Sequence, residues 1–98
     1  MTNAETIETL KASSNKVRAL GATGLYLYGS ASRNELSANS DVDLFIDYDP
    51  ASAFSFVELV RLQELLTGEL KRDVDLTTRN GLHPLLRPDI ERTSIKIF

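Results

Sequence analysis

The chain has 98 residues, 42% of them hydrophobic and 26% charged, which suits one ordinary globular domain burying about 65% of its unfolded surface. It contains no cysteine, so disulfides, thiolate zinc sites and cysteine nucleophiles are excluded and any metal must be held by oxygen. The formal net charge of −3 is the wrong sign for binding polymer DNA or RNA, and the short, charge-interrupted apolar runs suit neither a membrane span nor a signal peptide, so a cytoplasmic location is expected. A single nucleotide remains an open ligand, because divalent cations can neutralise carboxylates and phosphates together.

Thr2-x-x-Glu5 has the form of a capping box, and Ile7, Leu10, Val17 and Leu20 recur at helical spacing before Gly21; residues 3–20 are expected to form one amphipathic helix. Residues 24–28, Gly-Leu-Tyr-Leu-Tyr, read as a first strand with Leu25 and Leu27 on one face and Tyr26 and Tyr28 on the other. The polar stretch 30–39 has the composition of a short helix followed by a loop. Val42 to Tyr48 reads as a second strand, its core side formed by Val42, Leu44 and Ile46, with Asp41, Asp43, Phe45 and Asp47 opposite.

Beyond Pro50, Ser55-x-x-Glu58 is a second capping box, opening a helix whose apolar face is assigned to Phe56, Leu59, Val60, Leu62, Leu66 and Leu70. Asp73 to Thr78 alternates as a third strand, with Val74 and Leu76 on one side and Asp73, Asp75 and Thr77 on the other. A short helix over 83–92, broken near Pro88, and an edge strand over 94–98 complete the chain. This order gives an α/β (α+β) domain over residues 1–98: a small mixed β-sheet flanked by helices.

The chemistry concentrates between Tyr28 and Leu44 and again at Asp75. Gly29 lets a backbone approach a phosphate closely and Ser30 can donate through its hydroxyl. Asp41 and Asp43 project to one side of a strand about 6.5–7 Å apart along the backbone, a spacing between which two metal ions roughly 3.5–4 Å apart can sit. An isolated Asp-x-Asp is more often a solvated strand face. Asp75, on a separate strand with the same alternation, supplies a third carboxylate. Three converging aspartates would repel one another by a few kcal/mol per pair, and bound cations are the simplest compensation. Asp47 and Asp73 read as solvated, and His83, the single histidine, as a surface or structural residue. Tyr26 and Tyr28 are expected to pack against a helix. Arg33 could steady a triphosphate, pair with the acidic cluster, or simply face water.

Gly29-Ser30, ten residues, Asp41-Val42-Asp43, and later Val74-Asp75-Leu76 together resemble the minimal nucleotidyltransferases (MNT) of the polymerase-β-like superfamily. The preceding helix, Leu44-Phe45-Ile46 and the tail around Leu85-Leu86-Arg87-Pro88 resemble the family too, so the likeness covers essentially the whole chain. One departure is Ser32-Arg33-Asn34, where members commonly carry Ala-Arg-Gly. The resemblance implies a palm fold in which Gly29 and Ser30 hold the β and γ phosphates of ATP. It also implies that Asp41, Asp43 and Asp75 hold two Mg2+ ions and that AMP is transferred to a hydroxyl. The resemblance further implies a HEPN-type helical toxin as partner; since the chain leaves little room for an acceptor pocket and its acidic charge disfavours nucleic acid, the expected acceptor is a tyrosine of that toxin, in a hetero-oligomer. The alternatives are an antitoxin acting by occlusion alone, or the catalytic subunit of a two-chain enzyme acting on a small molecule.

Overall fold

The computed structural model describes residues 3–29 and 41–98. Helix α1 (Asn3–Ala12) and helix α2 (Ser14–Ala19) lead into β1 (Ala22–Tyr28); β2 (Val42–Tyr48), α3 (Phe56–Leu70) and β3 (Val74–Thr78) follow. A 3-10 turn (Arg79–Gly81), α4 (Arg87–Thr93) and a two-residue β4 (Ile95–Lys96) end the chain. The four strands form one mixed sheet in the order β3-β2-β1-β4. Strand β1 is antiparallel to both β2 and β4, and β2 is parallel to β3. The expected mixed sheet with helices is the observed architecture.

One face of the sheet carries the core. Leu25 and Leu27 of β1, Val42, Leu44 and Ile46 of β2, and Val74 and Leu76 of β3 are buried together with Leu10, Val17, Leu62, Leu66 and Leu70 of the helices. Each fully buried aliphatic side chain contributes about 1.5–3 kcal/mol relative to exposure. Helix α3 starts at the capping box expected for it: the Val57 N–H donates to Ser55 Oγ (3.3 Å) and the Ser55 N–H to Glu58 Oε2 (2.8 Å). It runs through Gly68 and closes on Lys71 in the left-handed conformation.

Four local expectations are corrected. The helix expected over 3–20 is two helices that meet at the buried Ser13, where the Ser13 hydroxyl donates to the Thr9 carbonyl (3.0 Å) and the Ser14 hydroxyl to that of Lys11 (2.7 Å). Such a bond competes with the helical ladder and bends it. Phe56 and Val60 do not join the core: Phe56 is 76% exposed and Val60 is also exposed, since they lie beside rather than on the stripe of Leu62, Leu66 and Leu70. Pro88 does not break a helix but sits in the first turn of α4, where its missing N–H has no helical partner to lose. The last strand contracts to Ile95–Lys96. Thr2, and the short helix expected within 30–39, lie outside the described residues.

Candidate active site

Register brings the predicted residues together on the face opposite the core. Tyr28 of β1 is paired with Asp43 of β2, and Asp43 with Asp75 of β3. One row across three neighbouring strands therefore carries a phenol and two carboxylates. Asp41 stands just before β2, and Gly29 just after β1. Adjacent strands lie about 4.8 Å apart, so the row is close enough for strong mutual influence.

The electrostatics record that proximity. The Asp43 carboxyl is pushed above the ordinary carboxylate range, first by burial and then by Asp75 and Asp41. The Tyr28 phenol is pushed up to about 12, first by burial and then by Asp43 and Asp75. Like charges without an intervening cation disfavour ionisation in this way.

Gly29 is fixed by two independent constraints. Its φ is +74°, and a β-carbon built there would lie 2.5 Å from Asp43 Oδ2. Only glycine satisfies both without displacing the carboxylate. Ser30 and Arg33, the other residues assigned to phosphate binding, lie outside the described residues, as does Asn34.

The donor set is all oxygen, the chemistry that hard divalent cations prefer, and Asp43 senses both other carboxylates. In kind, then, Asp41, Asp43 and Asp75 fit magnesium. Among the described residues no three histidine, aspartate or glutamate side chains are already gathered into a metal-holding cluster.

The next row down the same face was not foreseen from the sequence. Tyr26 and Phe45, register partners, are stacked with ring centroids 4.6 Å apart, and Tyr28 tilts against Phe45 at 5.9 Å. The two tyrosines thus pack on a strand neighbour, not on a helix as expected. Phe45 is completely buried although it belongs to the polar face. Its cover is Arg79, whose guanidinium lies 5.0 Å from the Phe45 ring centre and 4.9 Å from that of Tyr26. Arg79 Nε and Nη2 donate to the two carboxylate oxygens of Asp47 at 2.7 and 2.9 Å, and Nη1 to Glu91 of α4 at 2.5 Å. Asp47, expected to be solvated, is an ion-pair partner held below the usual carboxylate range, chiefly by the Arg79 hydrogen bonds. Spacing held the missing signal: the offset of 32 residues that pairs Asp43 with Asp75 also pairs Asp47 with Arg79. His83 has a local role, its Nδ1 accepting from the Leu85 N–H (3.2 Å).

Comparison with known proteins agrees with this geometry. Residues 5–98 match the family "Polymerase beta, Nucleotidyltransferase". The chain belongs to that family, as a minimal nucleotidyltransferase. Two proteins of Methanocaldococcus jannaschii, provisionally named protein adenylyltransferases, are similar to it over 72 residues. One is 34% identical, covering 74% of this chain and 75% of the relative; the other is 38% identical, covering 72% and 71%. Among solved structures, one provisionally named a minimal nucleotidyltransferase superposes with a TM-score of 0.84 at 27% identity, covering 97% of this chain and 95% of that one. A Shewanella oneidensis MNT antitoxin in complex with a tri-AMPylated HEPN toxin shares the fold, with a TM-score of 0.65 at 19% identity over 94% and 71% of the two chains. No helix among the described residues is long and apolar enough to cross a membrane.

Proposed function

We propose that this minimal nucleotidyltransferase transfers AMP from ATP to a tyrosine hydroxyl of a HEPN-type helical partner, with magnesium held by Asp41, Asp43 and Asp75. The observation that carries the reading is the placement of Gly29, Asp43 and Asp75 on one sheet face, opposite the core, with Asp43 and Asp75 in direct register. The names of the M. jannaschii relatives support AMP as the group transferred. The Shewanella complex supports a helical toxin as acceptor, by fold alone.

The chain's own contribution is positioning and charge. Gly29, lacking a side chain, leaves the space beside Asp43 open to a phosphate, and Ser30 is the residue that would donate its hydroxyl to the β and γ phosphates. Arg33 is the residue that would add a positive charge there. When bound, the two magnesium ions neutralise the triphosphate and raise the reactivity of the acceptor hydroxyl. The acceptor oxygen forms a bond to the α phosphorus while the bond from that phosphorus to the bridging oxygen of the diphosphate breaks; the phenolic proton is released and diphosphate leaves. Alignment and electrostatic stabilisation supply most of the rate in transfers of this type.

The test is intact-mass measurement of the purified pair after incubation with ATP and magnesium. The partner is expected to gain AMP units, and the Asp41→Asn variant to add none. If the partner's mass never changes while Asp41→Asn still suppresses its toxicity, the chain acts by occlusion and the transfer reading fails.

A further inference from the structure

We propose that Arg79 is a positioning residue that holds β3 in register against the repulsion of the carboxylate row, so that metal affinity at Asp43 and Asp75 depends on it. This rests on the proposed role of those aspartates as metal ligands, but its first test below needs neither metal nor nucleotide.

Strand β3 is five residues long and, among the described residues, forms an edge of the sheet with a ladder to β2 alone. Its register places Asp75 directly beside Asp43, so two like charges act at one end of a short, singly supported strand. At the other end, the residue following Thr78 is Arg79, and its two-pronged bond to Asp47 at 2.7 and 2.9 Å joins the same two strands by attraction. Four residues of strand, about 13 Å, separate the repulsive pair from the attractive one.

Three further contacts hold the guanidinium in place. Glu91 of α4 accepts its remaining prong, and the Tyr26 and Phe45 rings lie beneath it. Thr78 Oγ1 accepts from the Gly81 N–H at 3.1 Å and caps the turn that carries Arg79. Phe45 lies two residues from Asp43 on the same face, so the clamp fixes the backbone from which Asp43 projects. A planar, always-charged fork suits this geometry, whereas a lysine would reach one oxygen at a time.

The experiment is a double-mutant cycle on the metal-free protein, followed by magnesium titration. Arg79→Ala is expected to lower Tm by several degrees in the native background and by less than half as much in Asp75→Asn, where the repulsion is gone. A residue with a merely local structural role would give equal losses in the two backgrounds. With a non-hydrolysable ATP analogue present, magnesium affinity read by calorimetry should fall about tenfold in Arg79→Ala, with partial rescue in Arg79→Lys. If Arg79→Ala fails to fold, Asp47→Asn removes the same clamp more gently and takes its place in both arms. Additive Tm losses, or magnesium affinity within about twofold of the native protein, overturn the proposal. A native protein that binds no magnesium with the analogue would instead overturn the function proposed above, while the metal-free cycle would still decide whether Arg79 holds the register.

Discussion

Replacing Gly29 by alanine tests the site geometry at its tightest point. A residue with a side chain in the left-handed conformation costs about 1–2 kcal/mol, and φ at Gly29 is +74°. The new β-carbon would also stand 2.5 Å from Asp43 Oδ2, well inside the 3.4 Å at which ordinary contact begins. Turning the carboxylate aside adds about 0.5–1.5 kcal/mol of off-rotamer strain. Together these predict a loss of roughly 1.5–3.5 kcal/mol, or a fall in Tm on the order of 10 °C for a domain of this length. Displacing Asp43 should also shrink the rise in Tm that magnesium with ATP is expected to produce by mass action if the proposed function holds. Differential scanning calorimetry with and without ligand measures both effects. Gly68→Ala is the matched control: it lies inside α3 and a β-carbon there meets nothing within 4 Å. That substitution should stabilise by about 0.4–1 kcal/mol through the unfolded state. A Gly29→Ala protein with native Tm and native ligand response would refute the placement of Gly29 against Asp43.

Asp43→Asn should stabilise the metal-free protein at neutral pH. The folded carboxyl titrates above its unfolded value, so its ionisation costs stability above the folded pKa and costs nothing below the unfolded value of about 3.9. The gain, on the order of 1 kcal/mol after allowance for solvent screening, should be seen in urea unfolding at pH 7 and vanish near pH 3.5. Asp47→Asn should do the opposite. Its folded pKa is depressed by Arg79, so its contribution is present above about pH 3.9 and fades as pH falls through the folded pKa. A loss of roughly 1 kcal/mol at pH 7 that persisted undiminished at pH 2 would contradict the pairing with Arg79. Ser55→Ala removes the cap of α3 and should cost about 1 kcal/mol in the same unfolding assay; no loss would mean that the capping box is dispensable.

Most of the fold was legible because periodicity and punctuation agreed. Val42–Tyr48 alternated cleanly, and Ser55 with Glu58 marked the start of α3, as the structure has it. Gly21 marked a helix end, and its φ of +111° shows why a glycine stands there. Where expectation and structure part, the deciding interaction is not periodic. Two successive serine hydroxyls, Ser13 bonding to the Thr9 carbonyl and Ser14 to that of Lys11, mark the junction of α1 and α2, and helical spacing alone still counts Ser13 as one more position. Phe45 illustrates the other limit. Alternation assigned it to the polar face correctly, but its burial depends on a guanidinium 34 residues later in the chain. The candidate carboxylates were legible as types and spacing, whereas their adjacency, and the presence of Tyr28 in their row, needed the strand register.

The two carboxylates in register are not equivalent, and the sheet order explains which one is the more buried. Asp43 lies on β2, an interior strand with ladders to both β1 and β3, so its carboxylate is flanked by Tyr28 on one side and Asp75 on the other. It is half-buried, whereas Asp75, on the edge strand, is exposed. Burial and the neighbouring carboxylates act together on Asp43, whose carboxyl is pushed upward with burial as the larger cause. The backbone around Asp43 can tolerate this because β2 is secured on both sides and because Leu44, next to it, is wholly buried on the core face. An interior strand therefore carries a carboxylate whose charge is opposed by burial and by two neighbouring carboxylates, and a cation beside it would offset both.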